Sequence, residues 1–156
     1  PRALSLRGGR VIARPYLPGL PLAPATLEGA PGDEAGARVV ELVDSRSWCL
    51  AFESSYEGAL SVRIGSESGL EITLEEGRLT VDLTGTRYPH GGRRVVTLDA
   101  GEARRVEILH DRSITEIYLG DGSRVFTTRT FLCGEGAGVA FSGAASVTNV
   151  SAARAD

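Results

Sequence analysis

Leu60, Val62 and Ile64 alternate with Ser61 and Arg63, and the same period of two returns in Leu70-Glu71-Ile72-Thr73-Leu74 and Leu79-Thr80-Val81-Asp82-Leu83. Successive side chains of an extended chain point to opposite sides, so this pattern builds strands with one buried and one wet face. A helix needs apolar residues three and four apart, and no stretch of about a dozen residues offers them. Turn-forming clusters separate the runs: Ser66-Glu67-Ser68-Gly69, Glu75-Glu76-Gly77, Asp99-Ala100-Gly101-Glu102 and Gly120-Asp121-Gly122-Ser123. Further strands are expected over 38–44, 48–54, 94–98, 105–110, 114–119, 124–131, 137–142 and 146–151. Many short strands joined by tight turns predict an all-β fold, a two-sheet antiparallel β-sandwich of the jelly-roll or lectin-like (concanavalin-like) kind.

The first 36 residues follow another rule. Pro1, Pro15, Pro18, Pro21, Pro24 and Pro31 are six of the seven prolines and are interleaved with glycines, which excludes a long helix or a central strand. Residues 1–36 therefore read as a connector and 37–156 as the sandwich. Arg10 to Arg14 is expected to form one short strand. Leu17, Leu20, Leu22 and Leu27 are too many apolar groups for a solvated linker, so the connector is expected to dock, and an uncovered apolar face is expected to make the chain self-associate.

Charge narrows the partners. Seventeen basic residues, all Arg, stand against 20 acidic ones for a formal net charge of -3, so nucleic acid and anionic membranes are not expected as partners. No apolar run approaches the roughly 20 residues of a membrane-spanning helix. The all-Arg usage suggests a GC-rich bacterial coding sequence. The lack of Met is expected of a piece of a longer protein, which leaves the compartment open, with a cytoplasmic one slightly favoured. Cys49 and Cys133 fit neither a disulfide framework nor a zinc spacing and are expected to be unpaired, buried thiols.

Chemistry is sparse. His110-Asp111-Arg112-Ser113 carries the letters of a hydrolytic triad, but neighbours on an extended chain point apart and cannot form a relay. Asp111 and Glu116 are separated by about 16 Å if the strand runs straight, whereas glycosidase carboxylates stand about 5–9.5 Å apart. His90 and His110 have no ligands at metal-site spacing, so no metal and no cofactor is expected. Arg93-Arg94 and Arg104-Arg105 read as solvated strand ends, and Asn149-Val150-Ser151 as a chance acceptor pattern. Trp48 reads as core, yet with Tyr56, Tyr88 and His90 it completes the set of candidate carbohydrate contacts. No catalytic residue is expected.

The segment from Val106 to Gly122 resembles a recognisable stretch of the C-terminal β-sandwich of glycoside hydrolase family 32, which contains invertases, levanases, inulinases and sucrose-6-phosphate hydrolases. Asp111, Arg112, Ser113, Glu116, Tyr118, Asp121 and Gly122 occupy the motif, and Thr128-Arg129-Thr130-Phe131 is similar to the strand that follows it. Gly77 to Asp82 is similar to a second family strand, with Leu83 standing where the family usually has Arg. Pro1 to Leu6, then Gly9-Arg10 and Arg14-Pro15, resemble the exit from the family's catalytic propeller, with Ala3 and Gly8 replacing acidic residues.

The resemblance implies a non-catalytic module of a bacterial β-fructosidase. Its partners would be a five-bladed catalytic propeller in the same chain, a second copy in a homo-oligomer, and a sucrose- or fructan-type carbohydrate. The propeller's Trp-Met-Asn-Asp-Pro, Arg-Asp-Pro and Glu-Cys boxes do not occur here. The motif residues Asp111, Arg112, Ser113, Glu116, Asp121, Gly122 and Arg129 are then structural, with Arg112 or Arg129 expected to neutralise Glu116. The rival reading is an autonomous carbohydrate-binding module.

Overall fold

A computed structural model describes residues 2–29, 38–42, 46–55, 58–65, 69–102, 104–132 and 137–155. The chain enters through a hairpin of β1 (Arg2–Arg7) and β2 (Arg10–Pro15), paired from Arg2↔Pro15 to Arg7↔Arg10. One strand was expected here and two form, because Gly8 and Gly9 both take positive φ and close a tight turn. Two-residue strands follow, β3 (Ala23–Pro24) and β4 (Glu28–Gly29). Each lies at the edge of a different sheet, where a proline interrupts no ladder.

The body is a sandwich of two antiparallel sheets. The seven-stranded sheet runs β10 (Arg93–Thr97), β9 (Arg78–Asp82), β8 (Leu70–Glu75), β7 (Leu60–Ile64), β14 (Ala137–Gly143), β5 (Arg38–Leu42), β4. The six-stranded sheet runs β13 (Arg124–Arg129), β12 (Ile114–Leu119), β11 (Arg105–Asp111), β6 (Ser47–Ser54), β15 (Val147–Ala155), β3. The helical content among the described residues is a single 3-10 turn, Pro89–Gly91. The alternation read from the sequence sets the faces: Leu60, Val62, Ile64, Leu70, Ile72, Leu79 and Val81 point inward against Leu50, Phe52, Val106, Ile108 and Ile117, all at most 1% exposed. Each such side chain contributes about 1.5–3 kcal/mol of burial. Phe52 and Phe141 meet edge to face at 5.0 Å.

The last strand outruns its expected end at 151 and reaches Ala155. Its register against β6 shifts between Thr148 and Ser151, where Asn149 takes φ 52°. A bulge of this kind resets the inside-outside alternation, so a period-two reading loses the strand there.

The two sheets differ on their outer faces. The seven-stranded sheet shows solvent a polar row in which Ser61 pairs with Thr73 and Thr73 with Thr80. The six-stranded sheet is covered: Cys49, Leu109 and Tyr118 form a second apolar cluster with Ala13 of β2, joined by Leu17, Leu22 and Val125. Ala25 and Leu27 pack on the core between the sheets. The connector thus docks along much of its length, as its leucines required.

Backbone contact seats the hairpin. Ala13 N–H donates to the Gly122 carbonyl at 2.9 Å, and Gly122 takes φ 92°. A Cβ at position 122 would press into the Ala13 carbonyl oxygen. Gly122→Ala is therefore expected to cost about 1–3 kcal/mol, read as a lower urea midpoint at unchanged slope; an unchanged midpoint would show that β2 is not seated on Gly122.

Candidate functional site

Glu116 sits on β12 between Leu109 of β11 and Thr127 of β13, on the covered face of the six-stranded sheet. Its side chain is 13% exposed. A half-buried carboxylate needs donors, and three side chains gather round it. Arg2 Nε donates to Glu116 Oε1 at 2.8 Å, Arg2 Nη2 reaches both that oxygen and Thr127 Oγ1, and Tyr118 OH donates to Glu116 Oε2 at 2.6 Å. The Arg2 guanidinium also lies 5.9 Å from the centre of the Tyr118 ring. Burial pushes the Glu116 carboxyl up, but the bonds from Tyr118 and Arg2 outweigh it and hold the group below its ordinary value. Burial and the same carboxylate push the Tyr118 phenol up.

The expectation that Arg112 or Arg129 neutralises Glu116 is corrected. Arg112 occupies the β11–β12 turn at φ 54°, where its N–H donates to the Arg46 carbonyl. Arg129 lies over the Phe131 ring, 5.3 Å from its centre. The partner comes from 114 residues away in sequence, because the entering hairpin crosses this face.

The same turn corrects the exclusion of Asp111 and Glu116 by distance. Asp111 pairs with Ile114 and Leu109 with Glu116, so all four side chains share one face. Diagonal neighbours of this kind stand about 7–8 Å apart. Arg112-Ser113 supplies the sharp bend that a straight strand lacks. A glycosidase acid must hold its proton near neutral pH, whereas Glu116 is ion-paired and its pKa lowered. Asp111 accepts from Ser47 Oγ at 2.6 Å. The two carboxylates edge a cleft of about 340 Å³ walled by Leu17, Leu20, Leu109 and Ile114.

The candidate carbohydrate contacts divide. Trp48 is 1% exposed and stacks on His110 at 5.4 Å, so it is core and not a sugar platform. Tyr88 is 48% exposed, meets Phe131 edge-on at 4.9 Å and lies parallel to the exposed His90 ring at 6.5 Å. Tyr56 lies outside the described residues, as does Cys133. Burial, helped by Glu107, raises the Cys49 thiol to about 12, which leaves it inert as expected. His110 is 3% exposed with Nδ1 2.9 Å from Thr115 Oγ1, and burial lowers its pKa.

Arg2 and Ser47 escaped the sequence reading. Arg2 had a signal of sorts, since it opens the stretch that resembles the propeller exit, but no spacing rule links it to Glu116. Asp121 Oδ1 accepts the Ser123 N–H at 3.0 Å, closing the turn on which Gly122 receives β2.

No protein-family model matches the sequence, and no curated protein matches it. Solved structures do. A family 32 β-fructofuranosidase from Bombyx mori superposes with a TM-score of 0.72 at 21% identity, over 98% of this chain and 32% of its own. A sucrose-6-phosphate hydrolase from Lactobacillus gasseri gives 0.74 at 18% identity, over 99% of this chain and 33% of its own. A family 32 glycoside hydrolase from Bifidobacterium adolescentis gives 0.73 at 17% identity, over 98% and 25%. The fold is that of the family 32 β-sandwich. The chain spans about a third or less of the length of these enzymes. In this sandwich, Asp111-Arg112-Ser113 makes the turn that aligns Glu116, and Glu116 holds the incoming Arg2.

Two outcomes follow. Arg2→Ala should cost about 1–2 kcal/mol, a charged hydrogen bond discounted for solvent, and the double variant Arg2→Ala/Glu116→Gln should lose little more than either single one. Because the folded Glu116 pKa is lowered, this contribution is present above the unfolded value of about 4.3 and is lost as pH falls through the folded one. The wild-type advantage over Arg2→Ala in urea melts should therefore shrink below about pH 4. His110, held neutral, works on a different window: its contribution is present above about pH 6.5 and declines below it. His110→Gln should flatten the fall in melting temperature between pH 7 and pH 5; an unchanged slope would show that another group carries it.

Proposed function

We propose that this chain is the non-catalytic β-sandwich module of a bacterial family 32 β-fructosidase, in which it braces a catalytic propeller of the same polypeptide. The observation that carries the proposal is the fit of nearly the whole chain to about a third of each neighbouring enzyme. The Asp111-Arg112-Ser113 to Asp121-Gly122 motif and the anchored propeller-exit segment support it. The parent would hydrolyse sucrose or fructans through two carboxylates that this chain does not supply.

The bracing surface would begin at the entering hairpin. Leu4 is 69% exposed, Leu6 74% and Val11 61%, an apolar group that a neighbouring domain would cover. Arg2 on Glu116 and Ala13 on Gly122 would transmit the position of that domain to the sandwich. The purified chain is expected to self-associate through the same group, and Leu4→Ser/Leu6→Ser to reduce that association in sedimentation.

The chain alone is expected to give no turnover on sucrose, raffinose or inulin. The coding frame upstream of Pro1 is expected to encode a propeller with its own carboxylates. Hydrolysis lost in Glu116→Gln, or an upstream frame without such a domain, would overturn the proposal.

A further inference from the structure

Three backbone hydrogen bonds lace one end of the sandwich together: Arg112 N–H to the Arg46 carbonyl at 2.8 Å, Thr130 N–H to Ser113 at 2.8 Å, and Arg87 N–H to Phe131 at 3.0 Å. They bring the start of β6, the β11–β12 turn, the end of β13 and the loop before β10 side by side. Arg46, Arg87, Arg112 and Arg129 all rise from this line, and all four are exposed. Several guanidiniums elsewhere are neutralised, as in Arg78 with Glu75, Arg93 with Asp82, Arg105 with Glu107 and Arg124 with Glu102. None of these four has a carboxylate partner among the described residues. Asp111, the acid beside them, accepts from Ser47 Oγ and makes no ion pair with them among the described residues.

Rings fix two of the four. The Arg87 guanidinium lies 5.6 Å from the centre of the Tyr88 ring and that of Arg129 5.3 Å from the centre of Phe131. Stacked guanidiniums keep their edge N–H groups free to fork onto a carboxylate or sulfate. Tyr88 is 48% exposed beside a parallel His90. We infer that this end of the sandwich binds an acidic polysaccharide, its carboxylates held by the row of arginines and a sugar ring laid beside Tyr88 and His90. Ile114, 45% exposed, is the aliphatic group beside Asp111 and Arg129, and four guanidiniums around an exposed ring suit a sugar chain that carries carboxylates. The site goes beyond the bracing role and does not rest on the identity of the parent.

Polygalacturonate is the probe, with neutral inulin as control, in affinity electrophoresis of the full chain at low and at near-physiological salt. Retardation by polygalacturonate alone is expected, weakening as salt screens the charges. The variant Arg87→Gln/Arg112→Asn/Arg129→Gln should bind at least fivefold more weakly, while Arg78→Gln/Arg124→Gln, at the far ends of β9 and β13, should bind as the wild type does. Asn tolerates the left-handed backbone at position 112, so Arg112→Asn alone, expected to weaken binding at least twofold, is read if the triple variant melts early. No retardation at low salt, equal retardation by inulin, or equal loss in both arginine variants would overturn the proposal.

Discussion

A carboxylate on the covered face of a sheet is the constraint around which this structure is organised. Glu116 is 13% exposed, and an ion at that depth without donors would cost several kcal/mol. Its neighbours on β11 and β13, Leu109 and Thr127, supply one hydroxyl between them and no charge. Tyr118 supplies another hydroxyl. The countercharge comes from Arg2, so the strand that carries Arg2 must lie across β12. Once it does, β2 follows beside it, Ala13 meets Gly122, and Leu17 and Leu22 close over Leu109 and Cys49. One half-buried charge thus ties the first two strands to β12.

That arrangement makes the six-stranded sheet a middle layer. Its inner face holds Leu50, Phe52, Ile108 and Ile117 against the second sheet, while its outer face holds Cys49, Leu109 and Tyr118 under the connector. The burial string of β6 shows the result: five consecutive residues, Trp48 to Phe52, are buried, where a strand wet on one side would alternate. β7 in the other sheet does alternate.

What was legible in the sequence follows this difference. The strands of the seven-stranded sheet announce themselves, because solvent on one face forces polar residues into every second position. β11 and β12 were also readable, through their motif and through the turn residues around them. The connector was not: its proline content correctly excluded a central strand, but edge strands two residues long leave no periodic trace. The bulge in β15 erased the alternation over its second half. Within the site, the motif included Glu116, but nothing in it marked Arg2 as the partner. The choice of Arg112 or Arg129 as partner failed because proximity in sequence stood in for proximity across the sheet. Trp48 was read correctly as core, and its stacking on His110 shows why: two flat rings in adjacent strands fill the inner layer together.

The pairing of Asp111 with Glu116 shows how little carboxylate spacing decides alone. A two-residue turn returns β12 along β11, so residues five apart in sequence come to share one face at a separation compatible with glycoside hydrolysis. Such chemistry further requires that the two environments push the pKa values apart, one carboxyl kept protonated and the other free to attack. Here burial alone would raise Glu116, and in an empty apolar cleft it would make a serviceable acid. Arg2 and Tyr118 reverse that effect and favour the ionised carboxylate. The clamp that fastens the hairpin to the sandwich is therefore the same feature that removes the acid from the cleft, so a face shaped like an active site is held as a joint.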